Sequence, residues 1–130
     1  MKTGILAVGA AGELRIMSEL MLKGFNPAKT YLDFGIDLIL ENGKTIQVKT
    51  SRGGVHKSAG RKPFFQYNFS CQDFKNNKCI KADFVVCWGI DDNLFLIIPK
   101  QEINTSLIQH GPKWNKSKWS RYINNWEILK

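Results

Sequence analysis

No run of apolar residues in this 130-residue chain approaches the length needed to cross a bilayer. The opening MKTGILAVGAAG imitates a secretory signal, with one lysine, a short apolar run and small residues. That run is broken by glycine and passes straight into an amphipathic pattern, so a cytoplasmic protein without a membrane partner is expected. Cysteine is scarce too. Cys71, Cys79 and Cys87 are odd in number and contain no CxxC pair, which excludes a disulfide framework and a zinc-ligand spacing. Reduced thiols follow. The two histidines, His56 and His110, lie far apart near loop residues and argue against a metal-histidine centre. N-x-[ST] matches at Asn68, Asn104 and Asn115 carry no weight in a chain that is not secreted. No repeat, linker or low-complexity block interrupts the sequence, so residues 1–130 read as one domain, long enough to bury a core.

Acidic residues are the other shortage, 11 against 19 Lys and Arg, for a formal net charge of +8. The imbalance is local. From Gly43 to Ala82 nine basic residues (Lys44, Lys49, Arg52, Lys57, Arg61, Lys62, Lys75, Lys78, Lys81) face one acid, Asp73. From Lys113 to Lys130 five basic residues face Glu127 alone. Everything before Gly43, and everything between Asp83 and Pro112, is slightly acidic in sum. Such a basic segment points to a polyanionic partner, most simply nucleic acid; a solvated basic surface is the plainer alternative.

What the chain does contain is an alternation of pattern. Thr3 to Lys23 carries Leu6, Ala10, Leu14, Met17, Leu20 and Met21 at helical spacing and ends at Gly24, which predicts a helix. Glu13 falls inside that apolar stripe. A carboxylate there either reaches water or a lysine at the stripe edge, or is held for a purpose. Phe64 to Cys71 reads as a strand, as do Lys81 to Trp88 and Asn93 to Ile98 around an Asp91-Asp92 turn. The run Phe84-Val85-Val86 predicts a central strand buried on both faces. Ser51 to Pro63 is glycine-rich and basic and reads as a loop. A short helix is expected near Gln101 to Leu107, then an aromatic tail (Trp114, Trp119, Tyr122, Trp126) packing a terminal helix on the core or stacking on bases. The order predicts an α/β fold, a central mixed sheet flanked by helices.

The stretch FGIDLILENGKTIQVKTS, Phe34 to Ser51, is a hairpin around Asn42-Gly43. A two-residue loop would set Asp37 against Val48 and mix polar with apolar residues on both faces. A three-residue loop with glycine closing a bulge sets Leu38 against Ile46 and Ile36 against Val48, one uniformly apolar face. A one-residue slip exchanges the faces, so burial selects the bulged register. Asp37, Gln47 and Lys49 then share the other face.

That trio suits metal-assisted phosphodiester hydrolysis. A hard cation such as Mg²⁺, with Mn²⁺ as substitute, takes oxygen ligands: the Asp37 carboxylate, the Gln47 amide oxygen and the Val48 backbone carbonyl. Lys49 is placed to orient a water and to stabilise charge building on the phosphate. Glu13, if it points this way, adds a second carboxylate. A solvent-exposed polar sheet face is the competing reading. Gly43-Lys44-Thr45 ends like a P-loop, but Leu38 stands where that motif needs glycine.

Gly12-Glu13 on a first helix, Gly35-Ile36-Asp37, and Ile46-Gln47-Val48-Lys49-Thr50-Ser51 resemble the PD-(D/E)XK nuclease superfamily. The resemblance is closest to group I intron homing endonucleases and Holliday-junction resolvases. DFVVCWG and the terminal WSRYINNWEIL look like the same homing-endonuclease-like branch. The resemblance implies a restriction-endonuclease-like fold, Mg²⁺-dependent DNA cleavage, Asp37 as metal ligand, Lys49 as catalytic lysine, and Glu13 as the helix glutamate of resolvase-like members. Gly35-Ile36 stands in place of the name-giving proline, and Gln47 replaces the second acid, a glutamine that the homing-endonuclease branch also uses. A catalytically silent DNA-binding module is the alternative. DNA contacts are expected from Ser51, Arg52, Lys57, Arg61 and Lys62. Cutting two strands with one small site per chain predicts a homodimer or higher homo-oligomer.

Overall fold

The turn at Asn42-Gly43 sets the register of everything around it. In the computed structural model, which describes residues 4–31, 35–71 and 80–130, Gly43 takes φ 87°. Its N–H bonds the Leu40 carbonyl at 2.9 Å, and the Leu40 N–H bonds the Lys44 carbonyl at 2.9 Å. This is the bulged loop, with glycine where a side chain would be strained. Leu38 lies opposite Ile46 and Ile39 opposite Thr45, as burial demanded. The ladder is shorter than expected. Strand β2 is only Leu38–Ile39, against β3, Thr45–Ser51. The expected pairing of Ile36 with Val48 does not form: the Asp37 carboxylate takes the Val48 N–H instead, β1, Ala28–Lys29, pairs with Leu38 and Ile39, and Thr30 beyond β1 holds the backbone of Ile36 and Asp37. The Thr30 hydroxyl donates to the Ile36 carbonyl at 2.6 Å, and the Thr30 N–H to the Asp37 carbonyl at 3.0 Å.

On its other side β3 runs parallel to β6, Phe84–Gly89, from Ile46 against Phe84 to Ser51 against Gly89. Strand β7, Leu94–Pro99, returns antiparallel to β6. The sheet order is β1-β2-β3-β6-β7, with β3 and β6 at its centre. Val85, Val86 and Cys87 are fully buried, so the continuous apolar run of β6 is covered on both faces. Parallel neighbours need a long crossover, which here is the whole segment from Ser51 to Asp83.

Two different layers cover the two faces. Helix α1, Ile5–Leu22, lies on one, and its Ile16 and Leu20 pack with Ile46, Val86 and Ile97. Each such side chain removed from water contributes about 1.5–3 kcal/mol before entropy is charged. On the other face sits a second sheet of β4, Gly54–His56, β5, Phe64–Ser70, and β8, Leu107–His110, in the order β4-β5-β8. Its Tyr67, Phe69 and Ile108 pack against Val85, Cys87, Leu96 and Ile98. The fold is α/β with a five-stranded mixed sheet at its centre.

Several expectations need correction. The segment predicted as a helix near Gln101–Leu107 is a 3-10 turn, Lys100–Glu102, followed by β8. Strand β5 leaves an open ladder, and Leu107 to His110, alternately exposed and buried, fills it. The terminal helix is replaced by 3-10 turns at Ser120–Tyr122 and Trp126–Leu129. Between them Ile123 bridges Leu96, and Asn124 takes φ 53° while its N–H bonds the Phe95 carbonyl, which interrupts helical winding. Trp119, Tyr122 and Trp126 are buried, so these aromatics pack the core; Trp114 alone of the four is exposed. The stretch read as a loop, Ser51 to Pro63, contains β4. The expected helix start at Thr3, and Asp73, Lys75, Lys78 and Cys79, lie outside the described residues.

Candidate active site

Beyond Ile46, β3 has no strand partner on its β2 side among the described residues. Asp37 fills that gap with its side chain. Its N–H donates to the Ile46 carbonyl at 2.8 Å, and its Oδ2 accepts the Val48 N–H at 2.7 Å. Asp37 is 7% exposed, and a carboxylate that deep is tolerable only with charge-assisted partners of this kind. The N–H and C=O of one strand residue point to the same side of the strand. The Val48 carbonyl therefore points to the same open edge that Asp37 occupies. Gln47 and Lys49 alternate away from α1, in register with Val85 and Cys87, while Val48 packs with the α1 side.

Glu13 reaches the edge because of its neighbour. A methyl group built on Gly12 would stand 1.6 Å from Thr50 Oγ1 and 2.8 Å from Thr50 Cβ. Only hydrogen fits there, and the resulting close approach of α1 to β3 brings Glu13 over the cleft. Glu13 lines the cleft, and its Oε2 lies 3.5 Å from Lys29 Nζ. The cleft has a volume of about 400 Å³ and is lined by Glu13, Asp37, Gln47, Val48 and Lys49, with Leu6 on its apolar wall. A second hollow of about 590 Å³ shares Val48 and Lys49 and continues to Ser51 and Arg52. A single trough thus runs along the free edge of β3.

The donors facing this cleft are all hard oxygens: two carboxylates, an amide and a backbone carbonyl. That set fits Mg²⁺ or Mn²⁺ and does not fit zinc, which prefers nitrogen and sulfur. No group of three or more His, Cys, Asp or Glu suited to a metal occurs among the described residues. A cation here would be held by few charged ligands, which suits Mg²⁺ because it keeps several of its waters. Cys87, beside Lys49, is no rival ligand or nucleophile. Burial pushes its thiol well up, Cys71 adds to this and Lys49 opposes it, so the sulfur stays protonated.

The basic residues divide. Ser51 and Arg52 border the cleft. Lys57, Arg61 and Lys62 are exposed in the loop between β4 and β5 and do not line the cleft. The turn Asp91-Asp92 does more than the sequence suggested. Asp91 Oδ2 accepts the Gly53 N–H at 2.5 Å, and Asp92 Oδ2 accepts the Lys113 N–H at 2.9 Å. Asp92 also accepts the Tyr67 hydroxyl at Oδ1 and returns its own N–H to it at 2.9 Å. Burial first, and then this carboxylate, push the Tyr67 phenol far above its ordinary range, so it remains a donor. The turn therefore ties the second sheet to the first. Two adjacent acids between basic segments were the available signal. Lys29 was missed as well, and nothing local marks it.

No protein-family model matches the chain, and no curated protein matches it. A solved structure described as a bacterial homing endonuclease, I-Ssp6803I, is similar over 98% of this chain and 92% of its own, with a TM-score of 0.73 at 18% sequence identity. At that identity the likeness is one of fold.

Proposed function

We propose that the chain is a metal-dependent endodeoxyribonuclease of the PD-(D/E)XK kind that hydrolyses DNA phosphodiester bonds. The observation that carries this reading is the convergence of Glu13, Asp37, Gln47, Val48 and Lys49 on one open cleft at the free edge of β3. The likeness of fold to a homing endonuclease supports it, as does the basic segment that continues from the cleft through Ser51 and Arg52.

When bound, a divalent cation lowers the pKa of a coordinated water and neutralises charge on the scissile phosphate. Asp37, Gln47, the Val48 carbonyl and Glu13 are the residues that would hold it. The Val48 N–H fixes the Asp37 carboxylate in place before any ligand arrives, which spares reorganisation later. Lys49 brings an ammonium to the same cleft, where it orients the attacking water by hydrogen bonding and stabilises the added negative charge. Arg52 extends the trough and neutralises a neighbouring phosphate. Hydrolysis of both strands by a chain with one such cleft calls for two copies, so a homodimer or larger assembly is part of the proposal.

Gln47 in the place of a second acid favours one other reading, a DNA-binding module of the same fold without catalysis. Incubating supercoiled plasmid and branched-junction DNA with the protein in Mg²⁺, in Mn²⁺ and in chelator separates the two. The nuclease reading expects nicked or linear product that chelator prevents. Uncut DNA in both metals, at protein concentrations that shift its mobility, would leave the binding module.

A further inference from the structure

The second sheet turns a polar face outward. On β5 the residues alternate with the buried Tyr67 and Phe69, which puts Phe64, Gln66, Asn68 and Ser70 on the solvent side. Register extends that face: Gln109 of β8 lies opposite Asn68, and His56 of β4 lies opposite Phe64. None of these residues is acidic. Phe64, His56, Asn68 and Gln66 form a connected row, and Gln109 lies beside it. Arg61 lies over the Phe64 ring at 5.2 Å, and Phe64 stacks on His56 with ring centroids 5.7 Å apart. His56 Nε2 is 3.5 Å from the Asn68 amide nitrogen, and the Gln66 amide donates to Asn68 Oδ1 at 2.9 Å.

We propose that this face, with Gln66, Asn68 and Gln109 as the reading side chains, docks in the major groove of duplex DNA and sets sequence preference. The inference rests on the reading of the chain as a DNA-acting protein and names how it would choose its DNA. Three features favour this occupant. Side-chain amides present a donor beside an acceptor, the pattern that matches the N6 and N7 edge of adenine in the major groove. Strand β4 pairs with β5 over Phe64–Gln66 and β8 over Tyr67–Ser70, so each stretch of the face is two strands wide, the width of a ribbon that the major groove admits, and same-face residues on one strand recur about every 6.8 Å, close to two base-pair rises. The charge is complementary, since Lys57, Arg61 and Lys62, all exposed, lie in the loop that joins the two strands carrying His56 and Gln66. Phosphate contacts from that loop would position the sheet, and the amides would read. The hydrogen bonds within the row hold the Gln66 and Asn68 amides in fixed orientation, so less side-chain freedom is lost on binding.

The test is a binding selection from linear duplexes with a randomised central segment, at near-physiological salt, with the intact chain and no cleaving metal. Wild type should enrich a defined sequence. Gln66→Ala, Asn68→Ala and Gln109→Ala should each relax preference at one or two base pairs, by roughly 5- to 150-fold per position. Their affinity for a fixed unselected duplex, and its salt slope, should stay at the wild-type values. Gln109 is exposed, so its variant keeps the test valid if the other two fold poorly. An identical enriched sequence in all three variants, or no enrichment by wild type, would overturn the inference. A wild type that binds no linear duplex at any salt would overturn this inference and leave the nuclease reading to the branched-junction assay. Enrichment by a chain that cleaves nothing in Mg²⁺ or Mn²⁺ would sustain the readout and remove the nuclease.

Discussion

The two sheets bury the same kind of residue where they meet and offer opposite chemistry where they do not. Val85, Cys87, Leu96 and Ile98 of the central sheet face Tyr67, Phe69 and Ile108 of the second across a buried apolar interface. At its free edge the central sheet gathers carboxylates, an amide and a lysine around a cleft. On its solvent face the second sheet carries amides and an imidazole, and from its hairpin loop extends basic residues. Burial has fixed the shape in both, and the surplus surface of each is free to specialise. On the proposed reading, bond cleavage would fall to the first and DNA holding to the second, two sheets joined through Asp91 and Asp92. Separation of these roles is what experiment can break.

The largest effect should come from the cleft. Asp37→Asn and Lys49→Ala should each lower the cleavage rate by about 10²-fold or more while leaving DNA affinity within a few-fold, because they remove charge that acts on the reacting phosphate. Equal losses of binding and cleavage would erase the distinction between the sheets. Next in size, the combined Arg52, Lys57, Arg61 and Lys62→Ala variant should bind all duplexes more weakly. The slope of log affinity against log salt should shrink by about 0.9 for every phosphate that is no longer neutralised. Cleavage at saturating DNA should persist at the wild-type rate once Arg52, which lies in the trough, is restored.

A third, smaller effect concerns the contact that brings α1 to β3. Gly12→Ala forces the helix off Thr50 and should destabilise the chain by about 1–3 kcal/mol, measured by urea unfolding. Cleavage should fall further than the stability loss explains, since Glu13 rides on the same turn. Pairing it with Thr50→Ser, which keeps the oxygen, should not rescue; pairing it with Thr50→Gly should rescue in part. Thr50 Oγ1 is buried with no hydrogen-bond partner among the described residues, so its removal forfeits little polar bonding.

The smallest effect lies in the second sheet. His110 is buried, with Nδ1 2.6 Å from Ser117 Oγ, and burial lowers its pKa while Asp92 opposes that. A base whose folded pKa lies below its unfolded value of about 6.5 binds more protons when unfolded. Stability from keeping His110 neutral is therefore complete above that pH and declines as pH falls below it. Thermal unfolding from pH 7.5 down to 5.5 should show a steeper drop in wild type than in His110→Gln, and the central-sheet variants should keep the wild-type slope.

The site was easier to read from sequence than the layer that covers it, for a physical reason. Asn42-Gly43 and the alternation of Leu38, Leu40, Ile46 and Val48 act over a few residues, so the register, and with it the company of Asp37, Gln47 and Lys49, follows locally. Glu13 announced itself by violating an apolar stripe. The strand β8 is decided by an open ladder on β5 nearly forty residues earlier, and Leu107-Ile108-Gln109-His110 is too short for its period to speak. The tail is similar: its aromatics say that it packs, but Ile123 bridging Leu96 is what prevents a helix. Lys29 meets Glu13 only through the β1–β2 pairing, which two-residue strands do not advertise.

The cleavage role proposed for the central sheet depends on the free edge of β3 being a divalent-cation site. Titrating Mn²⁺ into the protein labelled for amide NMR, without DNA, tests this directly through paramagnetic broadening. The Asp37, Gln47, Val48 and Lys49 signals should be lost selectively, at lower Mn²⁺ in Gln47→Glu than in wild type and at much higher Mn²⁺ in Asp37→Asn. Broadening confined to other residues, or a response that Asp37→Asn leaves unchanged, would contradict a cation site at this edge.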